Sequence, residues 1–190
     1  MSSFNLAIID LMSVLTIVGQ VFILFCLVAG MLALYRRKQW KAIRDFIGQQ
    51  AIILALLITF ASVVGSLFLS EAAKLEPCKL CWLARIAMFP MLIIFSVAWW
   101  KKDKIAAYYG IILSALGVII TAYNIYLQTF KPASGFCSLS SLGVSCEDVI
   151  IQRFGYISIP VMGLTAFIMI LLLMLFNLAY QRERRKFIIQ

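Results

Sequence analysis

Two pairs of cysteines carry most of the chemical information in this chain. Cys78 and Cys81 are two residues apart, and Cys137 and Cys146 are separated by eight. Cys26 stands alone in an apolar run. The 190 residues include no histidine. The commonest general base and the commonest metal ligand are therefore missing. A Cys-x-x-Cys bridge closes a very small loop and constrains the unfolded chain little. Such tight spacing suits redox exchange or metal binding. The wider pair is also compatible with a purely stabilising bridge.

Neighbouring residues sharpen the first pair. Pro77 precedes Cys78, and proline pre-sets the backbone for helix entry. A helix starting there puts Cys81 in its first turn, where free N–H groups and the helix dipole favour a thiolate. Arg85 lies four residues on, hence on the same helical face. An arginine within an apolar segment is costly and takes a partner. It reads either as an anchor reaching lipid headgroups, or as a cation that holds Cys81 as thiolate or binds an electron acceptor beside it. Its place beside the cysteine pair favours the second. A tetrahedral zinc on four cysteines has an unusual spacing here and leaves Arg85 without a role, so no metal is expected. A c-type haem needs histidine after the second cysteine, where Trp82 stands. No glycine-rich phosphate loop is present. Cys26 reads as a small packing residue.

The elements that must position these groups are apolar and long. The chain is 64% hydrophobic and 13% charged, against about 45–50% and about 25% for soluble domains. A core of this size cannot hide that much apolar surface. Four stretches carry no charge or almost none: 11–34, 46–70, 105–130 and 154–181. A fifth, 81–100, holds Arg85 alone. A bilayer core about 30 Å thick takes roughly 20 helical residues, and all five segments reach that length. Barrel strands would be about 10 residues long with alternating polarity. The prediction is an all-α membrane protein with five spanning helices and short loops.

Lysine and arginine set the orientation. Arg36, Arg37, Lys38, Lys41 and Arg44 follow the first segment. Lys101, Lys102 and Lys104 follow the third, and Arg182, Arg184, Arg185 and Lys186 follow the fifth. These three clusters hold twelve of the seventeen positive charges. They are expected in the cytoplasm as topological anchors, and no nucleic acid is expected as a partner despite the net charge of +9. Both cysteine-pair loops, and the N-terminus, then lie outside. The first segment lacks a basic n-region and is too long for a cleaved signal peptide, so it is expected to be retained. Residues 131–145, rich in serine and glycine, suit a mobile outer loop. Val149, Ile150, Ile151 and Phe154 suit a short segment lying in the interface.

The run Pro77-Cys78-Lys79-Leu80-Cys81-Trp82-Leu83-Ala84-Arg85-Ile86-Ala87-Met88-Phe89-Pro90 resembles the signature of the DsbB/BdbC membrane proteins that generate disulfides. Their pattern is Pro-Cys-x-Leu-Cys, an arginine four residues later, and often Met-aromatic-Pro beyond. The run Phe154-Gly155-Tyr156-Ile157-Ser158-Ile159-Pro160 resembles the segment that follows the second cysteine pair, particularly in the BdbC branch. The resemblance covers about residues 50 to 180. It implies a four-helix transmembrane bundle at 46–181, one extra N-terminal transmembrane helix with a basic loop at 1–45, and a basic tail at 182–190.

The same resemblance implies a membrane thiol:quinone oxidoreductase in the bacterial cytoplasmic (inner) membrane, with the C-terminus cytoplasmic. Cys137 and Cys146 would form the disulfide that oxidises a DsbA-like thioredoxin-fold thiol oxidase. Cys137 would take the mixed disulfide, and Cys146 would exchange with Cys78. Cys81 would pass electrons to a membrane quinone, ubiquinone or menaquinone, with Arg85 supporting it. Three features depart from the family: the extra first helix, a compact Cys137–Cys146 loop, and Leu83 and Ala84 where polar or aromatic residues are frequent. Two rivals stand beside this one. A vitamin-K-reductase-like quinone enzyme would carry its acceptor pair late in the bundle. A non-enzymatic metal-binding or structural membrane protein would keep its bridges fixed.

Sidedness is open to direct measurement. A membrane-impermeant maleimide applied to reduced intact cells should label Cys137 and Cys146, and single cysteines placed within 36–44 or 182–186 should stay unlabelled. Labelling of Cys137 only after lysis would overturn the scheme, because a reducing compartment does not keep its disulfide.

Overall fold

A computed structural model describes residues 3–35, 37–74, 77–103, 105–130 and 152–189. In hydrocarbon no water satisfies backbone N–H and C=O groups, so an apolar chain must bond them internally. Among the described residues it does so in five helices: α1 (Ser3–Tyr35), α2 (Arg37–Glu71), α3 (Lys79–Lys101), α4 (Ala106–Phe130) and α5 (Ile159–Ile189). Each contains a stretch long and apolar enough to cross a membrane. The all-α membrane architecture expected from the sequence is therefore found. A two-stranded hairpin adds to it: β1 (Gln152–Arg153) pairs antiparallel with β2 (Ile157–Ser158). Its turn places Phe154 at φ 50° and Gly155 at φ 81°.

The helices run further than the apolar segments. The basic region expected as a loop at 35–45 is helical from Arg37 on. The basic tail likewise continues α5 to Ile189. Lysine, arginine and glutamine are good helix formers, so charge ends the membrane span without ending the helix. At the other end of α3 the backbone does stop. Lys102 adopts a left-handed conformation at φ 53°, and its N–H returns to the Ala98 carbonyl. The Asp103 carboxylate then accepts the Ile105 N–H at 2.9 Å, which opens α4.

Helices α2, α3, α4 and α5 form a ring: α2 and α4 each pack against both α3 and α5. Helix α1 lies outside the ring, against α5 and α2. This is the four-helix bundle with one extra N-terminal helix. The core between the ring helices centres on Ala51, Ala55, Met91, Phe95, Ala107, Phe167, Ile170 and Met174. Large apolar side chains such as Ile93, Trp100, Ile119 and Leu57 face outward, as lipid allows. Buried hydroxyls are satisfied within their own helices. Thr59, Ser114, Thr121 and Thr165 each donate to the carbonyl four residues back. Asn177 instead donates across the bundle to the Gly48 carbonyl at 2.7 Å.

Close approach of α4 to α5 depends on missing side chains. A Cβ at Gly117 would sit 2.3 Å from the Phe167 ring, which is fully buried. Gly117→Val should therefore lower stability by about 1–3 kcal/mol, the usual cost of overpacking. Thermal unfolding of the purified chain in detergent measures it. An unchanged midpoint would show that Phe167 has room to move.

Candidate functional site

Pro77 brings the chain to the start of α3 with Cys78 as its N-cap, at φ −66° and ψ 167°. An N-cap side chain accepts a hydrogen bond from the first turn, and here the acceptor is sulfur. The Cys81 N–H donates to Cys78 Sγ at 3.4 Å. The two sulfurs lie 2.8 Å apart as free thiols in contact. Cys78 is buried against Leu80 and Leu127, while Cys81 is half-buried. From α4, the Asn124 side-chain amide reaches both sulfurs, at 3.7 Å from Cys78 and 3.8 Å from Cys81.

These donors all favour charge on Cys78. Together they hold its thiol well below the ordinary 9.0, at about 6. The largest cause is the Cys81 thiol donating to it. Burial works the other way, and the Cys81 N–H, the Asn124 amide and the Leu80 N–H add to the lowering. The sequence predicts the thiolate at Cys81, from helix-start geometry. The structure puts the favoured charge one turn earlier, because Cys78 caps the helix and collects its free N–H groups.

Arg85 turns toward α2. Its Nε donates to Ser66 Oγ at 2.7 Å and its Nη2 to the Ser66 carbonyl at 2.8 Å. Nη2 also donates to Ser70 Oγ. The guanidinium lies 5.3 Å from the centre of the Trp82 ring. An arginine within a membrane-spanning helix needs such partners, and two serines on α2 supply them. Arg85 still shares a surface with the cysteines. A cavity of about 600 Å³ is lined by Cys78, Cys81, Arg85 and Asn124 at one end. Its remaining walls are mostly aliphatic and aromatic. The Asn124 carboxamide oxygen is buried without a hydrogen-bond partner, although such groups normally find one.

Three of the five site residues predicted from sequence, Cys78, Cys81 and Arg85, are thus brought to one cavity. Cys137 and Cys146 lie outside the described residues, as does the whole segment 131–151. Phe154, expected in an interfacial segment, sits in the hairpin turn and is exposed. Cys26 is buried in α1. Asn124, Ser66 and Ser70 were not singled out by sequence. The available signal was a carboxamide inside the fourth uncharged segment, since such polar side chains in a span tend to face neighbouring helices.

Comparison with known proteins shows the family of the chain. The family model described as disulfide bond formation protein DsbB matches residues 48–177. A probable disulfide formation protein C 2 of Bacillus anthracis is 36% identical over 135 residues, covering 71% of this chain and 94% of that protein. A probable disulfide formation protein of Oceanobacillus iheyensis is 37% identical over 139 residues, covering 72% and 94%. The disulfide bond formation protein C of Bacillus subtilis is 34% identical over 118 residues, covering 62% and 85%. No solved structure matches the chain.

The position of the charge predicts a pH profile. In the reduced protein, Cys78 should react with iodoacetamide with a midpoint near the value of about 6 given above. It should be fast above that pH and slow below it, where the thiol is protonated. Cys81→Ala removes the largest lowering contact and should move the midpoint up strongly; Asn124→Leu should move it up less. Mass spectrometry of the alkylated peptide reads the site. A wild-type midpoint near that of a free thiol would refute the capping account.

Proposed function

This chain belongs to the DsbB family of disulfide bond formation proteins, and we propose that it works there as a thiol:quinone oxidoreductase. It reoxidises an extracytoplasmic, DsbA-like thiol oxidase and delivers the electrons to a membrane quinone. The observation that carries this is the reduced Cys78–Cys81 pair opening on an apolar cavity beside Arg85. A pair with a purely structural role has no use for such a space.

The residues present fit a quinone. Its carbonyl oxygens only accept, and Arg85 is the charged donor group in the lining. The hydroxyls of the reduced ring donate, and the unpartnered Asn124 oxygen is an acceptor at the same end. A quinone bound there, ubiquinone or menaquinone, supplies a two-electron, two-proton acceptor.

The electron path then follows from thiol chemistry. The Cys137–Cys146 disulfide takes two electrons from the partner's dithiol: one partner thiolate attacks Cys137, Cys146 leaves as thiolate, and the partner's second thiol resolves the mixed disulfide. The partner leaves oxidised. The reduced outer pair next attacks the Cys78–Cys81 disulfide at Cys78, and Cys81 is the leaving thiolate. Closing the outer disulfide releases Cys78, whose hydrogen bonds stabilise it as thiolate, so it is a good leaving group in turn. The inner pair now holds two electrons and passes them to the acceptor as its own disulfide re-forms. Asn124, within reach of both sulfurs, orients them in the reduced pair. In this scheme residues 46–181 are the catalytic bundle, 1–45 an added helix with its basic connection, and 182–190 a basic cytoplasmic end. Both cysteine pairs face the outside.

Arg85 separates this proposal from a simple anchor. Lysine keeps the charge but loses the planar set of donors. Losing one or two charge-assisted hydrogen bonds, at about 1.5–3 kcal/mol each, sets the scale. Arg85→Lys should lower kcat/KM for quinone about tenfold, and Arg85→Met about a hundredfold, from loss of one and of most such bonds respectively. Exchange between the two cysteine pairs, followed by thiol trapping, should stay near normal. Wild-type quinone reduction by Arg85→Met would leave Arg85 as an anchor only.

A further inference from the structure

We propose that α1 is a binding element for the quinone's prenyl tail, forming the lipid-side wall of the cavity that starts at Cys81 and Arg85. The inference rests on the quinone acceptor proposed above and concerns the part of the chain that precedes the family match at residue 48.

Helix α1 is docked on the bundle by specific contacts. Near its outer end, Asp10 pairs with Arg153 at 3.1 Å. Gln20 accepts the Tyr156 hydroxyl at 2.7 Å and donates to Thr165 at 3.4 Å. Met12 fills the space left by Gly65 of α2, and Gly19 lets Met169 of α5 approach. These contacts hold α1 in place without closing it onto the ring. Between them the cavity continues along Thr16, Gly19 and Phe22 of α1, facing Ile58 of α2 and Ala166 of α5.

Its shape suits one long apolar chain with a polar head. On α5 the lining runs from Ile159 to Leu173, about 21 Å at the helical rise per residue. On α1 it runs from Met12 to Phe22, about 15 Å by the same rise. Arg85 is the one charged side chain among the described residues lining it, and its Nε and Nη2 already serve Ser66 and Ser70 of α2. What remains is Nη1, which suits one neutral oxygen on a single-tailed ligand better than the charged, two-tailed phospholipid. The Asn124 oxygen at the polar end is 3% exposed as a residue and unpartnered. It can accept from the hydroxyl of a reduced quinone.

The cavity also has a side door. Leu15 and Val18 of α1 and Leu57 of α2 line it, yet each is more than half exposed on the lipid-facing surface. A ligand dissolved in the bilayer can enter between α1 and α2 without passing through water. A tail admitted there lies against α1, so side-chain volume on α1 sets which tails fit.

The experiment uses the full chain in nanodiscs, reduced partner oxidase, and two naphthoquinones: menadione, which has no tail, and tetraprenyl menaquinone. Thr16→Phe fills the slot; Thr16→Val keeps its volume. Thr16→Phe should raise the ratio of the tetraprenyl KM to the menadione KM about tenfold, the scale of one lost buried apolar contact. Thr16→Val keeps the shape and loses only a hydroxyl bond to the Met12 carbonyl within α1, so it should leave that ratio within about twofold. A tetraprenyl naphthoquinone with a diazirine in its tail, irradiated on the wild-type chain, gives a readout that needs neither turnover nor a variant. It should label the α1 peptide spanning 12–22. Label confined to α3 and α4, a ratio unmoved by Thr16→Phe, or displacement of the probe by phospholipid alone would each overturn the role of α1. If the wild-type chain reduces neither quinone, the acceptor itself is wrong, and both proposals fall together. Reduction of both with no bias in the variants refutes only this one.

Discussion

A polar group in hydrocarbon has no water to turn to, and the protein must satisfy it or leave it at a cost. That constraint organises this molecule. It forces five long helices and sends the buried threonine and serine hydroxyls back to their own carbonyls. It turns Arg85 toward Ser66 and Ser70. It also explains where thiol chemistry is placed. The start of a helix is the one spot on a spanning helix with unspent N–H donors, so a thiolate at the edge of the bilayer is best solvated there. Cys78 occupies that position, and its neighbours complete the set of donors.

Much of this was legible in the sequence because the constraint leaves marks in composition. Uncharged runs of twenty or more residues gave the helices. Pro77, the Cys-x-x-Cys spacing and Arg85 one turn on gave the inner site. What the sequence did not give is set by geometry across helices. Asn124 is 46 residues from Cys78 along the chain, and nothing local joins them. Ser66 and Ser70 are common residues whose value appears only when α2 packs beside α3. Which of two cysteines holds the charge depends on cap geometry within a single turn. The helix boundaries at 37–45 and 182–189 were missed for a different reason. Basic residues end a membrane span, and they also extend helices.

Two serines and one asparagine change how Arg85 and the cysteine pair relate. The guanidinium is tied to α2, the amide belongs to α4, and the thiols start α3. The site therefore exists only when three helices of the ring are assembled. Small residues permit that assembly. Gly48 lets α5 approach α2, and Gly110 and Gly117 let Phe95 and Phe167 close on α4. The packing that seats the ring helices is therefore also what brings the guanidinium, the amide and the thiols together.

Among the described residues, the orphaned Asn124 oxygen is where the constraint is visibly not met. Its amide nitrogen is committed to the two sulfurs, which fixes the direction of the side chain. Flipping the amide would exchange the roles, placing the oxygen against a Cys78 thiolate, an arrangement that repels. The charge on Cys78 therefore dictates which way Asn124 faces and leaves its acceptor unsatisfied beside the cavity. When the pair is oxidised that charge is gone, and the penalty for turning the amide falls. The redox state of the pair thus bears on the direction of Asn124, and a change there takes the rotation of one side-chain bond with no movement of the helices.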